Sequence, residues 1–495
     1  MEPILFARSS GAAGENEITP RGAILFSAFA SAAALAGCAP VGPDFELSAA
    51  IVSPQYKEIE GWKIATPRAG EPKGDWWSVF HDPELAQLER AVVISNQTVK
   101  ADEANYREAV ALINEARAGL FPTVTGNGSA TRSNGVTNLT AEASGMWMLD
   151  IWGLVRREIE ANQGSAEATA ATLANATLSA QSELATAYVT LREEDSLEDL
   201  LTRTVVDYKK SLTITQNQYN AGTAAKSDVI TAEAQVLNAQ AQLIAAGVTR
   251  AQEEHAIAVL MGRPPAGLSI PHGALSTRVP SIPVQLPSSL LERRPDVAAA
   301  EETMRQANAQ IGVAFAGYFP QISLSGLLGY SGNPFAAEFE TNPVWSFGAS
   351  LAQPVFNGGL TGAQVEAARQ TYKSNVGTYR QTVLTAIQQV EDSLVGIRVY
   401  SRVAKVEAED VRISRQATQI ALNEYRAGTQ AFTAVVVAEE QQLTVEEALL
   451  ATQAQIQIDV VNLIVALGGG WTESKLPDAL ADAVAPAPPP PLRSE

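Results

Sequence analysis

The hydrophobic pattern changes period along this chain, and it does so twice in the same order. Residues 83–118 and 296–317 are rich in Ala and Glu and free of proline beyond Pro83 and Pro295. Both stretches predict helices, since proline suits the first turn. Phe121-Pro122 and Phe319-Pro320 then end them, because a residue before proline is pushed towards extended backbone. Beyond each pair the period falls to two. Val124, Gly126, Gly128 and Ala130 share one face, and Thr123, Thr125, Asn127 and Ser129 the other. Ser133-Asn134-Gly135 reads as a turn, and 139–149 as the returning strand. In the second pass Ile322, Leu324, Gly326 and Leu328 alternate with Ser323, Ser325 and Leu327. A return strand is predicted over 344–353, with Trp345 and Phe347 on one face. Strands of about ten residues with one apolar face match those of transmembrane β-barrels.

After Trp152-Gly153 and Asn357-Gly358-Gly359 the period becomes helical and stays so. Residues 154–219 and 360–426 contain no proline. At about 1.5 Å per residue each helix is on the order of 100 Å long, far beyond globular practice. The returning helices repeat every seven residues: Val229/Ile230, Val236/Leu237 and Leu243/Ile244, then Val435/Val436, Leu443 and Leu449/Leu450. Such a repeat enforces left-handed coiled-coil packing, here antiparallel to the preceding helix.

The two passes are copies. Ala116-Arg117-Ala118-Gly119-Leu120-Phe121-Pro122 returns as Ala314-Phe315-Ala316-Gly317-Tyr318-Phe319-Pro320, an offset of 198. Tyr219-Asn220-Ala221-Gly222-Thr223 returns as Tyr425-Arg426-Ala427-Gly428-Thr429, an offset of 206 that Met261-Gly262 and Leu467-Gly468 share. The second copy therefore gained eight residues, best placed in a loop.

Composition narrows the function. The net charge of −19 argues against nucleic acid, whose phosphates demand clustered Lys and Arg. Three histidines, His81, His255 and His272, lie far apart and share no ligand spacing. No cofactor, metal site or enzymatic motif is expected; Gly126-Asn127-Gly128 sits in a strand and lacks the context of a phosphate loop. The single cysteine, Cys38, closes Leu35-Ala36-Gly37-Cys38 after a short apolar run preceded by Arg21. That arrangement resembles a bacterial lipobox, with cleavage before Cys38 and several acyl chains on it, enough for stable anchoring in lipid. Ala39 allows sorting to the outer membrane. Residues 1–20 are long and acidic for a signal. Removing residues 1–37, with three Glu and two Arg, leaves −18 on the mature chain. The expected organisation is a signal segment 1–37, a lipidated segment 38–80, repeats over 81–275 and 285–471, and a disordered Pro-rich tail 472–495.

Two strands per copy make four per chain. Known bacterial single-chain barrels need at least eight, and an open sheet in lipid leaves edge groups unpaired at several kcal/mol each. Closure therefore demands several chains: eight strands from two, twelve from three.

The chain resembles the outer membrane efflux proteins, the TolC-like channels, and more closely the lipid-anchored outer components of resistance-nodulation-division pumps. The resemblance runs from Cys38 to about Trp471. It rests on Cys38-Ala39-Pro40-Val41-Gly42-Pro43-Asp44-Phe45, Trp76-Trp77, Phe80-His81-Asp82-Pro83-Glu84-Leu85 and Leu149-Asp150-Ile151-Trp152-Gly153. In the second half it rests on Arg293-Arg294-Pro295-Asp296, Trp345-Ser346-Phe347-Gly348, Phe356-Asn357-Gly358-Gly359 and Ala466-Leu467-Gly468-Gly469-Gly470-Trp471. It implies a mainly α fold with a transmembrane β-barrel: a homotrimeric channel-tunnel with a twelve-stranded barrel, four strands per chain, a long periplasmic α-helical barrel and an equatorial belt. The implied function is a passive outer-membrane duct that carries small molecules from an inner-membrane pump and a periplasmic adaptor to the exterior. On that model 219–228 and 425–432 are periplasmic tips where the adaptor docks, through Tyr219, Gly222, Thr223, Ser227, Asp228, Tyr425, Gly428, Thr429 and Gln430. Gly222 and Gly428 suit the left-handed residue after a helix, and Thr223 or Ser227 and Thr429 are expected to cap the next one. Many relatives carry an Asp near the second tip; here Gln430-Ala431-Phe432 stands instead. Asp228, Glu424 and Glu439, with Glu440, are the acidic candidates for the aperture. A protein-secretion duct shares the same fold. A periplasmic coiled-coil adaptor lipoprotein is the rival of another class, but it has no need of the two-fold repeat.

Overall fold

The computed structural model describes residues 39–58, 75–280, 282, 293–333, 340–471 and 479–483. The expected signal segment, Cys38 and residues 472–478 and 484–495 of the tail lie outside them. The chain divides into two compact units. One holds Arg117–Glu158, Ala309–Glu366 and the segment up to Pro43, and the other holds the rest.

In the first unit, β1 (Thr123–Ser133), β2 (Val136–Leu149), β3 (Gln321–Asn333) and β4 (Glu340–Ala352) form one antiparallel sheet in that order. Both return strands begin earlier than expected. Asn134 and Gly135 take φ of 51° and 81°, so a two-residue turn lets Ser133 pair directly with Val136. In β4, Pro343 pairs with Tyr330 near the start of the strand, which is an edge strand within one chain. The register sorts the side chains. Val124, Gly145, Gly326 and Phe347 form one cross-sheet row, and Gly126, Ala143, Leu328 and Trp345 the next. On the opposite face the rows are Thr125, Ser144, Leu327 and Ser346, then Asn127, Glu142, Gly329 and Val344. One face is thus apolar and the other mostly polar. Phe347 lies over Gly326, where a Cβ would come within 3.3 Å of its ring, an aromatic covering a gap in the apolar face. Trp345 and Phe347 remain 67% and 78% exposed. Among the described residues neither β1 nor β4 has an outer partner.

The motif at the strand–helix junction caps the first long helix. The Asp150 carboxylate accepts from Val155 N and Arg156 N, both at 3.1 Å, and so holds the start of that helix. Trp152 stacks on Phe319, ring centroids 4.8 Å apart, and donates Nε1 to the Pro320 carbonyl.

The second unit is helical: α1 (Pro83–Ser95), α2 (Gln97–Ala118), α3 (Leu154–Asn220), α4 (Lys226–Leu260), α5 (Pro295–Ala316), α6 (Leu360–Arg426) and α7 (Phe432–Ala466), with the ends of α2, α3, α5 and α6 in the first unit. Asp82 caps α1 by accepting from Glu84 N and Leu85 N. The helix expected over 83–118 is two helices. Asn96 breaks it, its Oδ1 accepting from Thr98 N and Val99 N while its Nδ2 donates 2.8 Å to the Leu260 carbonyl. Thus α2 begins where α4 ends. The second copy repeats the device with a cation. Arg294, 198 positions on, donates Nη1 to the Ala466 carbonyl at the end of α7, where a positive charge also suits the helix dipole. Gly262 and Gly468 permit these junctions. Their φ are 66° and 92°, and a Cβ on either would run into the carbonyl of Ser95 or Arg293. The main core gathers Trp76, Trp77, Leu85, Leu88, Val92, Leu184, Tyr379 and Val460. By length and composition α7 could cross a membrane, but Val460, Val461, Leu463 and Ile464 lie in this core. Part of the tail departs from expectation: Ala479–Asp482 is a helical turn, with Ala479 and Ala483 buried in a cluster with Ala109, Ile113 and Ala166.

Candidate functional site

The two helix reversals lie side by side. After α3, Gly222 adopts φ 75°, its N–H bonds Tyr219 O at 2.9 Å and Thr223 N bonds Gln218 O at 2.9 Å. After α6, Gly428 also adopts φ 75°, with Gly428 N on Tyr425 O and Thr429 N on Glu424 O, both at 3.0 Å. These are left-handed helix ends as the glycines imply. The threonines correct the capping expectation. Thr223 Oγ1 donates back to Gln218 O and Thr429 Oγ1 to Glu424 O, each at 3.0 Å. They add a second bond to the carbonyls of the ending helix that already accept from the threonine N–H groups. The N-caps of α4 and α7 are Ala225 and Ala431, without side-chain bonds. Ser227 lies inside α4, its Oγ 3.5 Å from Asp228 Oδ1. Gln430 Oε1 accepts from Ala431 N at 3.3 Å.

Gln218, unremarked in the sequence, ties the reversals together by donating Nε2 to Tyr425 O at 3.2 Å. The equivalent tyrosines differ. Tyr219 is 40% exposed, whereas Tyr425 is buried against Phe432, Ala232 and Val435. Burial, and the nearby Asp228 charge, raise the Tyr425 hydroxyl above its ordinary pKa.

Of the three acidic aperture candidates, Asp228 is half-buried in the first turn of α4 and Glu424 is exposed. Glu439 is not on an open surface of the chain. It is 6% exposed, and its Oε1 accepts from Ser211 Oγ of α3 at 2.5 Å. Burial, with a smaller push from Asp207, raises its carboxyl from 4.5 to about 7 despite the Ser211 hydrogen bond. The signal was present in the heptad: Phe432, Val435 and Glu439 follow 3–4 spacing on the buried side of α7.

A sheet with one apolar face and two open edges, joined to helices of 67 residues, defines a channel protein of the outer-membrane type. The outer membrane efflux protein family model matches residues 90–263 and 286–469. The chain belongs to that family, a family of outer-membrane channels. It is 28% identical over 474 residues to the probable efflux pump outer membrane protein TtgC of Pseudomonas putida, covering 91% of this chain and 96% of that one. It is 28% identical over 449 residues to nodulation protein T of Rhizobium leguminosarum bv. trifolii, covering 86% and 95%. Among solved structures, the outer-membrane channel OprN superposes with a TM-score of 0.80 at 27% identity, covering 87% of this chain and 99% of that one. The Campylobacter jejuni CmeC outer membrane channel shares the fold, with a TM-score of 0.81 at 20% identity over 90% and 97%.

Proposed function

We propose that three copies of this chain close a twelve-stranded barrel and serve as the outer-membrane duct of a tripartite efflux system for small toxic molecules. The sheet carries this reading. Its apolar rows suit lipid and its mostly polar rows suit a water-filled lumen, while β1 and β4 each need an outside strand. Pairing β1 of one copy with β4 of the next satisfies both edges without a new element. Acyl chains on Cys38 anchor the mature chain, and the paired reversals at Gly222 and Gly428 meet a periplasmic adaptor that leads to an inner-membrane pump. The relatives named for efflux pumps support the substrate class. Purified protein in detergent should have the mass of three chains and conduct ions in a planar bilayer. A stable monomer without conductance refutes the proposal.

A further inference from the structure

Asp195, deep in α3, organises the loop that comes after α4. Its carboxylate is fully buried. Oδ2 accepts from Arg192 Nη1 and from Gly273 N, both at 2.9 Å, and Oδ1 from Arg250 Nε at 2.6 Å. The same guanidiniums donate onward to the carbonyls of Pro271 at 2.6 Å and Ile270 at 2.9 Å. Ile270 N donates to Glu254, and Leu275 N to Ser196 Oγ. The loop is therefore held from both helices, and His272 is presented from its middle.

Among the described residues the His272 ring makes no hydrogen bond. Its Nε2 lies 3.9 Å from Asp195 Oδ1, 4.0 Å from Glu198 Oε2 and 3.8 Å from Asp199 Oδ1. These distances are too long for hydrogen bonds. They exceed the roughly 3.4 Å between two donor atoms that each sit about 2.1 Å from a tetrahedral ion, so these side chains would close by about half an ångström on binding one. Glu198, Asp195 and His272 offer ligand atoms within 4.8 Å of one another. The Asp195 oxygens are already engaged by Arg192 and Arg250. Glu198 and Asp199 have no Lys or Arg ion-pair partner among the described residues, and two carboxylates balance a dication. The fold does not need this set. At the 206 offset, Asp195, Glu198 and Asp199 become Ser401, Ala404 and Lys405, yet α6 has the same 67 residues as α3.

We propose that His272 and Glu198 bind a divalent transition-metal ion of the zinc type, with Asp199, 3.8 Å from the same ring nitrogen, closing on it as a further carboxylate, solvent completing its shell and Asp195 as the positioning residue. An imidazole with carboxylates favours such ions over Mg²⁺ or Ca²⁺, which prefer all-oxygen sites. The bound ion would pin the loop to α3.

The test uses full-length protein without a polyhistidine tag, titrated in detergent with Co²⁺. The wild type should take up one ion per chain, develop visible ligand-field absorption and lose it on addition of Zn²⁺. His272→Ala should weaken uptake at least about tenfold, since even outer-shell changes cost that much. Glu198→Gln and Asp199→Asn should each weaken it, whereas His255→Ala should not. Zn²⁺ should raise the melting temperature of the wild type and not of His272→Ala. Absence of saturable uptake, or uptake undiminished in His272→Ala, overturns the site. Because His272 is exposed on a loop, its alanine variant should remain folded, and its circular dichroism confirms that the comparison is fair.

Discussion

Replacing Glu439 by glutamine removes one ionisable proton and keeps the oxygen to which Ser211 donates. The wild-type carboxyl is buried, its Oε2 has no hydrogen-bond partner among the described residues, and its pKa is raised from 4.5 to about 7. At 1.36 kcal/mol per pH unit, ionising it in the folded chain costs roughly 3 kcal/mol more than in the unfolded one. The sign comes from linkage. Below pH 4.5 the group is protonated in both states and carries no penalty. Between 4.5 and 7 the folded chain keeps a proton that the unfolded chain loses. Above 7 the full penalty applies, so wild-type stability falls as pH rises through this window. Glutamine has no such dependence.

Amide hydrogen exchange of the α3 and α7 segments around Ser211 and Glu439 reads this directly, because it reports local opening free energies. At pH 8, after correction for intrinsic exchange, Glu439→Gln should protect these amides by up to about 100-fold over the wild type, at 1.4 kcal/mol per tenfold. At pH 5 the gap should shrink to about fourfold. Ser211→Ala removes the hydrogen bond that favours the charged form, so it should widen the gap at pH 8. A glutamine variant no better protected than the wild type at pH 8 would refute the reasoning and imply that another group compensates the charge.

Four further outcomes are expected. Gly222→Val with Gly428→Val puts Cβ atoms into open space at φ 75°, costing about 1–2 kcal/mol each in backbone strain; trimers should persist while drug accumulation in cells rises. Normal efflux with unchanged adaptor cross-linking would make these only turns. Cys38→Ser should abolish lipid labelling, and labelling that persists would end the lipobox reading. Asn96→Ala strips the cap of α2 and the partner of Leu260 O; it should lower stability by about 1–2 kcal/mol in denaturant titrations, and an unchanged midpoint would show the junction is held elsewhere. With −18 on each mature chain, bilayer conductance should favour cations, and anion preference would place the charge excess outside the duct.

The strands and long helices are legible because each rests on a local rule. Period two and a Phe-Pro stop mark β1 and β3, long proline-free stretches mark α3 and α6, and the seven-residue repeat marks α4 and α7. The break at Asn96 escapes such rules because its cause is partly distant: the side chain caps Thr98 and Val99 but also completes the end of α4 at Leu260. His272 shows no ligand spacing along the chain, since only the loop fixed by Asp195 brings it to Glu198.

The duplication explains which features can be read twice and which cannot. Backbone devices are shared at the fixed offsets: Gly222 with Gly428, Gly262 with Gly468, and the carbonyl-capping side chains Asn96 and Arg294. Surfaces are not shared. Ile230, Leu237 and Ile244 of α4 stay 56%, 58% and 77% exposed, while Val436, Leu443 and Leu450 of α7 are half-buried. A heptad fixes the face that a helix turns inward, not the neighbour it meets, so equivalent stripes carry the same phase and different burial. The two halves therefore do not face equivalent neighbours within one chain. A ring of three chains gives each α4 stripe a second chance of cover, which one copy cannot supply. This is also why Glu439 belongs to the packed interior while its equivalent, Glu233, remains exposed on α4.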